Sequence, residues 1–336
     1  MAPGPAADVT RALAPRAGHF LALALSALGL HCAHAGDGGS ADDRPTRLVL
    51  PGDTVGLSGL GRTEDGALWA VAENQRVALR IVGRRIERIP VTGVPPQLEL
   101  ESIAALGRGR FALGTESDVA GRSGDEILFA ELEGGTLRAR PGLMCPYDLW
   151  GLVGEDNQGI EGLCEVDGAL VLAAEVTSVD EQGRRFAPIA RRGISGGWSR
   201  YRLPLTSPDG KLSAIACRPL PAGQIEVHVI ERHFGVMRVL RAVIPPVDRD
   251  VDLVPQLRLN LDEWVGERPL PPNFEGLEIL PDGRAVMVVD NFYRGMARGP
   301  SELWWFPMDR VLPRAPVPRA SAPPAEPVPS QPRRAP

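Results

Sequence analysis

The stretch FEGLEILPDGRAVMVVDN, residues 274–291, decides the fold, because its pattern occurs five times in the chain. Each copy opens with a polar or acidic residue beside a small and an aliphatic one, turns at a glycine, and closes with an apolar run that ends in an acid. The other copies are GLSGLGRTEDGALWAVAEN (56–74), LESIAALGRGRFALGTES (100–117), IEGLCEVDGALVLAAEV (160–176) and KLSAIACRPLPAGQIEVHVIER (211–232). Such self-similarity indicates a repeat architecture.

Each copy predicts a β-hairpin, and a second, weaker hairpin follows it. Asp-Gly between two apolar runs favours a tight hairpin turn, since both turn positions tolerate positive φ. The weaker strand patterns lie at 77–91, 126–140 and 198–205. Two hairpins make a four-stranded unit, which is one blade of a β-propeller. We therefore predict an all-β propeller of four-stranded blades.

The two ends of the repeat region are predicted to close the ring. The fifth unit finishes early, at ELWWFP (302–307), and RLVLPG (47–52) precedes the first unit, so this segment could complete the last blade. The acids that end the apolar runs stand at 73, 116, 175, 231 and 290. The later spacings exceed the ~40–50 residues usual for a blade. These long spacings fit either long loops or a sixth, degenerate blade.

Other all-β or α/β folds fit the pattern less well. A β-sandwich would also have many short strands, but it would not repeat one motif five times. A Rossmann or barrel fold needs long helical stretches, and the sequence contains no convincing one.

The first 35 residues are predicted to be a secretory signal peptide. Arg11 and Arg16 precede an apolar run at 20–30, and Ala33-His34-Ala35 fits a cleavage site. We therefore expect export, to the periplasm or the extracellular space. A lipoprotein anchored through Cys32 is the less favoured alternative, because a histidine precedes this cysteine where lipoprotein signals have a small residue.

The remaining boundaries follow from composition. We expect a linker at 36–46, the propeller at 47–309 and a disordered tail at 310–336, where Pro, Ala and Arg leave almost nothing to bury. The apolar run of the leader is too short to cross a bilayer, so no transmembrane span is expected. We expect a monomer.

Charge and cysteine content narrow the functional classes. The formal net charge is −5, and nucleic acid is not expected as a partner, because phosphate backbones need a basic footprint. Cys145, Cys164 and Cys217 follow the leader without a CxxC or Cys/His spacing, which disfavours zinc. One disulfide is possible after export, with Cys145–Cys164 the favoured pair, and three buried thiols are the alternative.

The hairpins are predicted to gather acids at one rim of the central channel. Glu161 and Glu175 lie at similar distances from the Asp167-Gly168 turn, so folding brings both to the open end. The same reasoning pairs other acids, and the predicted metal ligands are Glu101, Glu116, Glu161, Glu175, Glu275 and Asp290. Oxygen-only ligands select hard cations, calcium first and magnesium second. Neighbouring amides could add neutral oxygens: Asn74, Asn157, Asn273 and Asn291. Ordinary strand-end acids that cap loops or pair with arginines are the alternative.

At these residues the sequence resembles the phytase-like propeller domain, the "esterase-like activity of phytase" family. NFEGLEILPDGRAVMVVDNF (273–292) resembles its closing motif, GLSGL (56–60) its opening, and LESIAALGRGRFALGTE (100–116) and IEGLCEVDGALVLAAE (160–175) its middle motifs. The unit at 212–232 resembles the one that ends in Glu-Arg. The resemblance covers residues 47–309. It implies an exported propeller related to calcium-dependent phytases.

The resemblance also implies roles for particular residues. Glu161 and Glu275 match the glutamates that hold calcium in such enzymes, and Glu101 matches more weakly. Ser58 and Ser213 depart from the pattern, since each stands where a further acid would be expected. The closing Asp-Asn-Phe lacks the second Asn that family members often carry. These departures leave fewer ligands.

Two functions remain open from the sequence. The first is a calcium-dependent phosphoric-ester hydrolase acting on a small phosphate ester or another anionic ligand, with Arg191 and Arg192, expected in a loop, as phosphate clamps. The second is a non-catalytic propeller that binds a ligand or envelope partner. Gly193–Gly197 fits the serine-hydrolase motif G-x-S-x-G but lacks a following helix. His228 and His233 lack a histidine-phosphatase pattern.

Overall fold

Five antiparallel sheets carry the five repeats, one repeat in each. A computed structural model describes residues 44–308, apart from 53, 74, 156–157, 234, 247–249, 266–270, 294–295 and 298. The predicted leader and tail, and most of the predicted linker, lie outside the described residues. The predicted all-β class is confirmed, because strands dominate and the described residues hold only one α-helix, α1 (Asp262–Val265).

Blades one and two are regular four-stranded meanders. The strands of blade one are β2 (Leu57–Arg62), β3 (Leu68–Ala72), β4 (Val77–Val82) and β5 (Arg85–Thr92). Those of blade two are β6 (Glu99–Ala105), β7 (Arg110–Glu116), β8 (Gly124–Glu133) and β9 (Thr136–Pro146). Parallel pairing of Val91 with Leu137 joins the outer strands β5 and β9. The weaker hairpins predicted at 77–91 and 126–140 are therefore present.

Blade three carries extra short strands, whereas blade four has four strands. Blade three consists of β10 (Gly162–Val166), β11 (Ala169–Ala173), β12 (Ser178–Val179), β13 (Arg185–Arg192) and β14 (Trp198–Pro204), with β18 (Val251–Asp252) alongside β14. Blade four consists of β15 (Lys211–Pro219), β16 (Ile225–His233), β17 (Val236–Ile244) and β19 (Gln256–Asn260). Single 3-10 turns lie at Tyr147–Trp150 and Pro221–Gly223.

Blade five is built from both ends of the described chain. It consists of β20 (Asn273–Ile279), β21 (Arg284–Asp290), β24 (Glu302–Pro307) and β1 (Thr46–Val49). A small hairpin, β22 (Phe292–Tyr293) and β23 (Met296–Ala297), interrupts it. Thr46 lies opposite Trp305 and Val49 opposite Glu302. The predicted closure of the last blade by the first strand is confirmed.

The innermost strands complete a ring. Each of β2, β6, β10, β15 and β20 contacts the innermost strands of both neighbouring blades, and β20 returns to β2. The described residues therefore form a five-bladed β-propeller, and the excess spacing of the later repeats lies in longer strands and connecting loops.

Hydrophobic cores fill the spaces between adjacent blades. Trp69 and Phe111 pack at 4.7 Å between blades one and two, and Phe274 lies among residues of blades four and five. Burial of each side chain of this size stabilises the folded state by about 1.5–3 kcal/mol. The runs that line these cores are apolar on both faces, as in Ala169–Ala173, where all five residues are buried. Its turn, Asp167-Gly168, has positive φ at both positions as predicted.

Small residues allow the innermost strands to approach at the axis. A Cβ added to Gly162 would lie 2.5 Å from the backbone nitrogen of Ile215 in blade four, and one added to Gly276 would lie 2.6 Å from the carbonyl carbon of Gly59 in blade one. Both distances are shorter than any van der Waals contact. The ring therefore depends on glycine where two innermost backbones meet.

The disulfide expectation needs a correction. Cys164 on β10 is bonded to Cys217 on β15, with 5.8 Å between their Cα atoms, whereas Cys145 is buried and free. The favoured pairing of Cys145 with Cys164 was therefore wrong, because Cys145 lies on the outer strand β9. The bond links the innermost strands of blades three and four.

No helix in the described part of the chain is long and apolar enough to cross a membrane.

Candidate acidic metal site

The innermost hairpins contain an irregularity that turns a side chain out of the ladder. In blades two, four and five the register shifts by one residue at Glu101, Ser213 and Glu275. In blade three the ladder begins directly after Glu161, and in blade one the shift follows Ser58. Bulges of this kind re-aim the residue that they carry. The recurring position is thus a glutamate in three blades and a serine in two.

The two serines connect neighbouring blades. Ser58 Oγ donates a 2.6 Å hydrogen bond to the carbonyl oxygen of Glu101, and Ser213 Oγ donates one of 2.7 Å to the carbonyl oxygen of Phe274. Both acceptors belong to the innermost strand of the next blade. These hydroxyls therefore join the inner ring, and the departure from the acidic pattern has a structural reason.

A second acid closes the same hairpin in four blades. These acids are Glu73, Glu116, Glu175 and Asp290. In blade two Glu116 lies opposite Glu99, and in blade five Asp290 lies opposite Asn273. The end of the second strand therefore faces the first residue of the innermost strand, beside the bulge.

Blade four presents cations at this place. Lys211 lies opposite Arg232, whereas Glu231 lies opposite Leu212. The carboxylate of Glu231 turns away and accepts hydrogen bonds from Thr206 and Ser207. The alignment of the repeats that placed Glu231 with the other strand-end acids was therefore wrong by one residue.

Together these positions place eight carboxylates around one end of the ring axis. We call them the acidic rim, and they are Glu73, Glu99, Glu101, Glu116, Glu161, Glu175, Glu275 and Asp290. They are close enough to repel one another: the charge of Glu101 is opposed by those of Glu73, Glu116, Glu161 and Glu275. Lys211 and Arg232 are the two cationic side chains at the equivalent positions.

Burial and mutual repulsion raise the pKa values of five rim glutamates. Desolvation is the largest cause for each of the five, and neighbouring carboxylates add to it. The pKa rises from 4.5 to about 9 for Glu73, about 8 for Glu116 and about 7 for Glu275. The pKa values of Glu101 and Glu161 lie well above 4.5. The rim therefore cannot carry its full negative charge without protons or further cations.

The blade-five acids are neutralised within the protein. Glu275 accepts hydrogen bonds from Arg232 and from Asn273, the latter at 2.6 Å. Asn273 also donates a 2.9 Å hydrogen bond to Asp290. These donors reach Asp290 and one oxygen of Glu275, whereas Glu275 Oε2 is buried without a hydrogen-bond partner among the described residues.

The acids of blades two and three lack such donors. Glu101, Glu116 and Glu161 are 4–5% exposed, and none of their carboxylates hydrogen-bonds or ion-pairs with another described residue. Glu175 is equally buried and forms an ion pair with Lys211. A buried carboxylate without a donor is costly, and a proton or a cation is the usual remedy.

Six of the rim acids form two groups with metal-like spacing. One oxygen from each of Glu116, Glu161 and Glu175 lies within 4.8 Å of the others, and the same holds for Glu73, Glu99 and Glu101. Only oxygen ligands are present, which suits calcium or magnesium and disfavours zinc or copper. The first group is the more buried of the two.

The structure brings together all six predicted ligands, and it adds others. Glu99, Lys211 and Arg232 at the rim were not predicted. The signal was available, because Glu99 and Lys211 directly precede the aliphatic residue that opens each repeat. Among the predicted amides, Asn273 is at the rim. Asn291 instead accepts a hydrogen bond from the Gly56 amide, and Asn74 and Asn157 lie outside the described residues.

The structure does not bring Arg191 and Arg192 to the rim. Both lie in strand β13, where a loop was expected, and they face Val171 and Leu170 at the turn end of the hairpin. Arg192 stacks over the ring of Trp198 at 5.3 Å. The loop placement was wrong, because the strand pattern of blade three continues through these residues.

Arg122 supports the loop before Glu161. Its guanidinium bonds to Asp125 and to the carbonyl oxygens of Glu155 and Gln158. The charge of Arg122 also offsets part of the rise in the pKa of Glu116. Arg122 therefore fixes the loop that leads to Glu161 and acts on Glu116 electrostatically.

Comparisons with known proteins give a fold likeness and no family. No protein-family model matches the sequence, and a comparison of the sequence with curated proteins finds no match. An α-L-arabinanase from Penicillium chrysogenum has 12% identity and a TM-score of 0.46, over 80% of this chain and 100% of that one. An aldose sugar dehydrogenase from Streptomyces coelicolor has 15% identity and a TM-score of 0.43, over 78% and 98%. These likenesses are too weak to carry a function, so the fold assignment rests on the strand pairing.

Proposed function

We propose that the acidic rim binds a divalent cation, calcium first and magnesium second, and that the protein uses this site to hydrolyse phosphate esters. One observation carries the proposal: Glu116, Glu161 and Glu175 converge within 4.8 Å, and two of them lack any donor among the described residues. A bound cation would satisfy these oxygens and relieve their repulsion.

The residues of the rim fit the chemistry of such a site. When bound, a divalent cation polarises a phosphoryl oxygen and lowers the pKa of a coordinated water. Glu116, Glu161 and Glu175 would hold it, and the group of Glu73, Glu99 and Glu101 from blades one and two could hold a second. Arg232, fixed by Glu275, supplies positive charge to an anionic ligand from the other side of the rim. The predicted export and the phytase-like motifs are consistent with a phosphate ester as substrate.

A non-catalytic, ligand-binding propeller is the second candidate. It is favoured by Ser58 and Ser213, which bond to backbone carbonyls and so remove two of five repeated positions from the ligand set. Only the first candidate needs turnover.

The first prediction is that calcium stabilises the protein and that hydrolysis depends on it. A ligand at one hundred times its Kd stabilises the folded state by about 2.7 kcal/mol, so the melting temperature should rise on going from chelator to calcium. Release of phosphate from p-nitrophenyl phosphate and from inositol hexakisphosphate should occur with calcium and stop with chelator.

A double variant provides the control for this experiment. Glu116→Gln with Glu161→Gln should lose both the calcium-dependent shift and turnover. Glu133→Gln, on an exposed turn at the far end of blade two, should keep both. Identical melting curves in calcium and in chelator would refute the cation site. Stabilisation without turnover would favour the ligand-binding propeller.

A further inference from the structure

Lys211 occupies the edge of the candidate cation site. It is the only lysine in the chain, and its ammonium pairs with Glu175. Glu175 also belongs to the group with Glu116 and Glu161 whose oxygens lie within 4.8 Å of one another. A cation bound by this group and the ammonium of Lys211 would therefore compete for the same carboxylate.

The strand register explains why Lys211 reaches out of its own blade. Lys211 and Arg232 lie directly opposite each other, and like charges in this position repel. Each is balanced by an acid of a neighbouring blade: Glu175 of blade three for the lysine and Glu275 of blade five for the arginine. Blade four thus places one cation on each side.

The two cations differ in how firmly they are held. Glu275, the partner of Arg232, also accepts a hydrogen bond from Asn273, and the planar guanidinium of Arg232 is suited to fixed pairing. Among the described residues Lys211 forms one ion pair, with Glu175, and its side chain is 27% exposed. Its flexible stem and strongly hydrated head can move towards water. Lys211 is therefore the cation that can leave.

We propose that Lys211 is an internal competitor that neutralises Glu175 in the cation-free protein and is displaced when a divalent cation binds. The proposal rests on the cation site proposed above and adds a control on its affinity. The ammonium stabilises the cation-free site and opposes cation binding. A higher cation concentration is therefore needed for binding.

The test measures calcium affinity in matched variants. Lys211→Met keeps the length of the apolar stem and removes the charge. Removal of one unit charge a few ångströms from the site should tighten calcium binding by roughly tenfold. Lys211→Arg keeps the charge and should stay close to wild type. Arg284→Met, on the Asp282 turn at the far end of blade five, removes the same charge away from the rim and should change nothing.

Competition with a chromophoric chelator, starting from calcium-loaded protein, measures these affinities even if Lys211→Met folds poorly without calcium. Circular dichroism of the loaded variants shows that the fold is retained. Calcium binding by Lys211→Met that is equal to or weaker than that of Arg284→Met would overturn the competitor role while leaving the cation site intact. Absence of calcium binding in the wild type would overturn both.

Discussion

At the scale of single residues, Glu161 combines deep burial with the absence of a donor among the residues that the structure describes. It is 5% exposed, its pKa is raised first by desolvation and then by Glu175 and Glu116, and it follows a loop held by Arg122. A residue in this state is poorly suited to stabilise a cation-free protein. It is well suited to bind a cation.

Glu161→Gln should therefore have opposite effects in the two states. In chelator, at a pH high enough to ionise the rim, loss of one repelling charge should stabilise the fold by about 1 kcal/mol, a typical single-residue effect. In calcium, loss of one charged ligand should weaken binding by about tenfold or more, because ligand charge sets calcium affinity. Melting curves in chelator and a calcium titration measure both effects.

The matched control is Glu131→Gln, at the turn end of blade two, opposite Arg110. It should change neither the melting temperature in chelator nor calcium binding. Destabilisation by Glu161→Gln in both conditions would identify Glu161 as an ordinary structural acid.

The sequence predicted the acids better than their counter-ions. The positions of Glu161, Glu175 and Glu275 follow from counting outward from each turn. The count fails in blade four, where Glu231 lies opposite Leu212 and Arg232 takes the place opposite Lys211. A one-residue shift reverses the face of a strand, so the carboxylate of Glu231 turns away from the rim.

At the scale of elements, the innermost strands need glycine where they cross. A Cβ on Gly162 would lie 2.5 Å from the Ile215 nitrogen, and backbone atoms cannot move aside as a flexible side chain could. The same closeness places the acidic rim directly above these contacts, so that a shift of β10 would displace Glu161 as well.

Gly162→Ala should lower stability by about 1–3 kcal/mol, the range for overpacking, and should weaken calcium binding. Gly197→Ala is the matched control, because nothing lies within 4 Å of its Cβ position. It should be neutral or slightly stabilising. Urea unfolding of both variants measures the difference, and equal stability of the two would show that β10 and β15 are less closely packed than described.

The pairing of elements also explains the cysteine result. Hairpins and blades follow from local sequence, whereas the Cys164–Cys217 bond depends on which innermost strands are neighbours. Consecutive blades lie side by side in a ring, and this places β10 beside β15. Cys145 is close to Cys164 in sequence, but it lies on an outer strand of blade two.

At the scale of the whole molecule, the acidic rim couples stability to pH. In the cation-free fold the pKa values of Glu73, Glu116 and Glu275 are about 9, 8 and 7, above the ordinary value of 4.5. Between pH 4.5 and these raised pKa values the folded state holds more protons than the unfolded state, so stability falls as pH rises. The contribution is complete below about pH 4.5 and is lost as pH rises through 7 to 9.

We therefore expect the protein in chelator to melt at a lower temperature at pH 9 than at pH 5. Calcium should reduce this slope, because a cation stabilises the charged carboxylates that protons otherwise neutralise. Melting temperatures across this range, with chelator and with calcium, measure the two slopes. A rise in stability from pH 5 to pH 9 in chelator would contradict the linkage.

The fold class and ring closure were predictable because every level of the sequence agrees on them. Apolar runs, Asp-Gly turns and the unpaired segments at 47–52 and 302–307 all indicate one closed ring. The blade count was not predictable, since the long spacings of the later repeats equally suited a sixth blade. Packing of β20 against β2 decides it.

The pairing of β1 with β24 also sets an order of events during synthesis. Thr46 is made among the first residues of the propeller and its partner Trp305 among the last. At about 5–20 residues per second, β1 waits on the order of 10–50 s for the strand that it must join. During that time the first four blades can assemble from neighbours in sequence, but the ring stays open. A nascent chain that stops before residue 302 cannot complete the circle, and its free strand edges remain available to other chains.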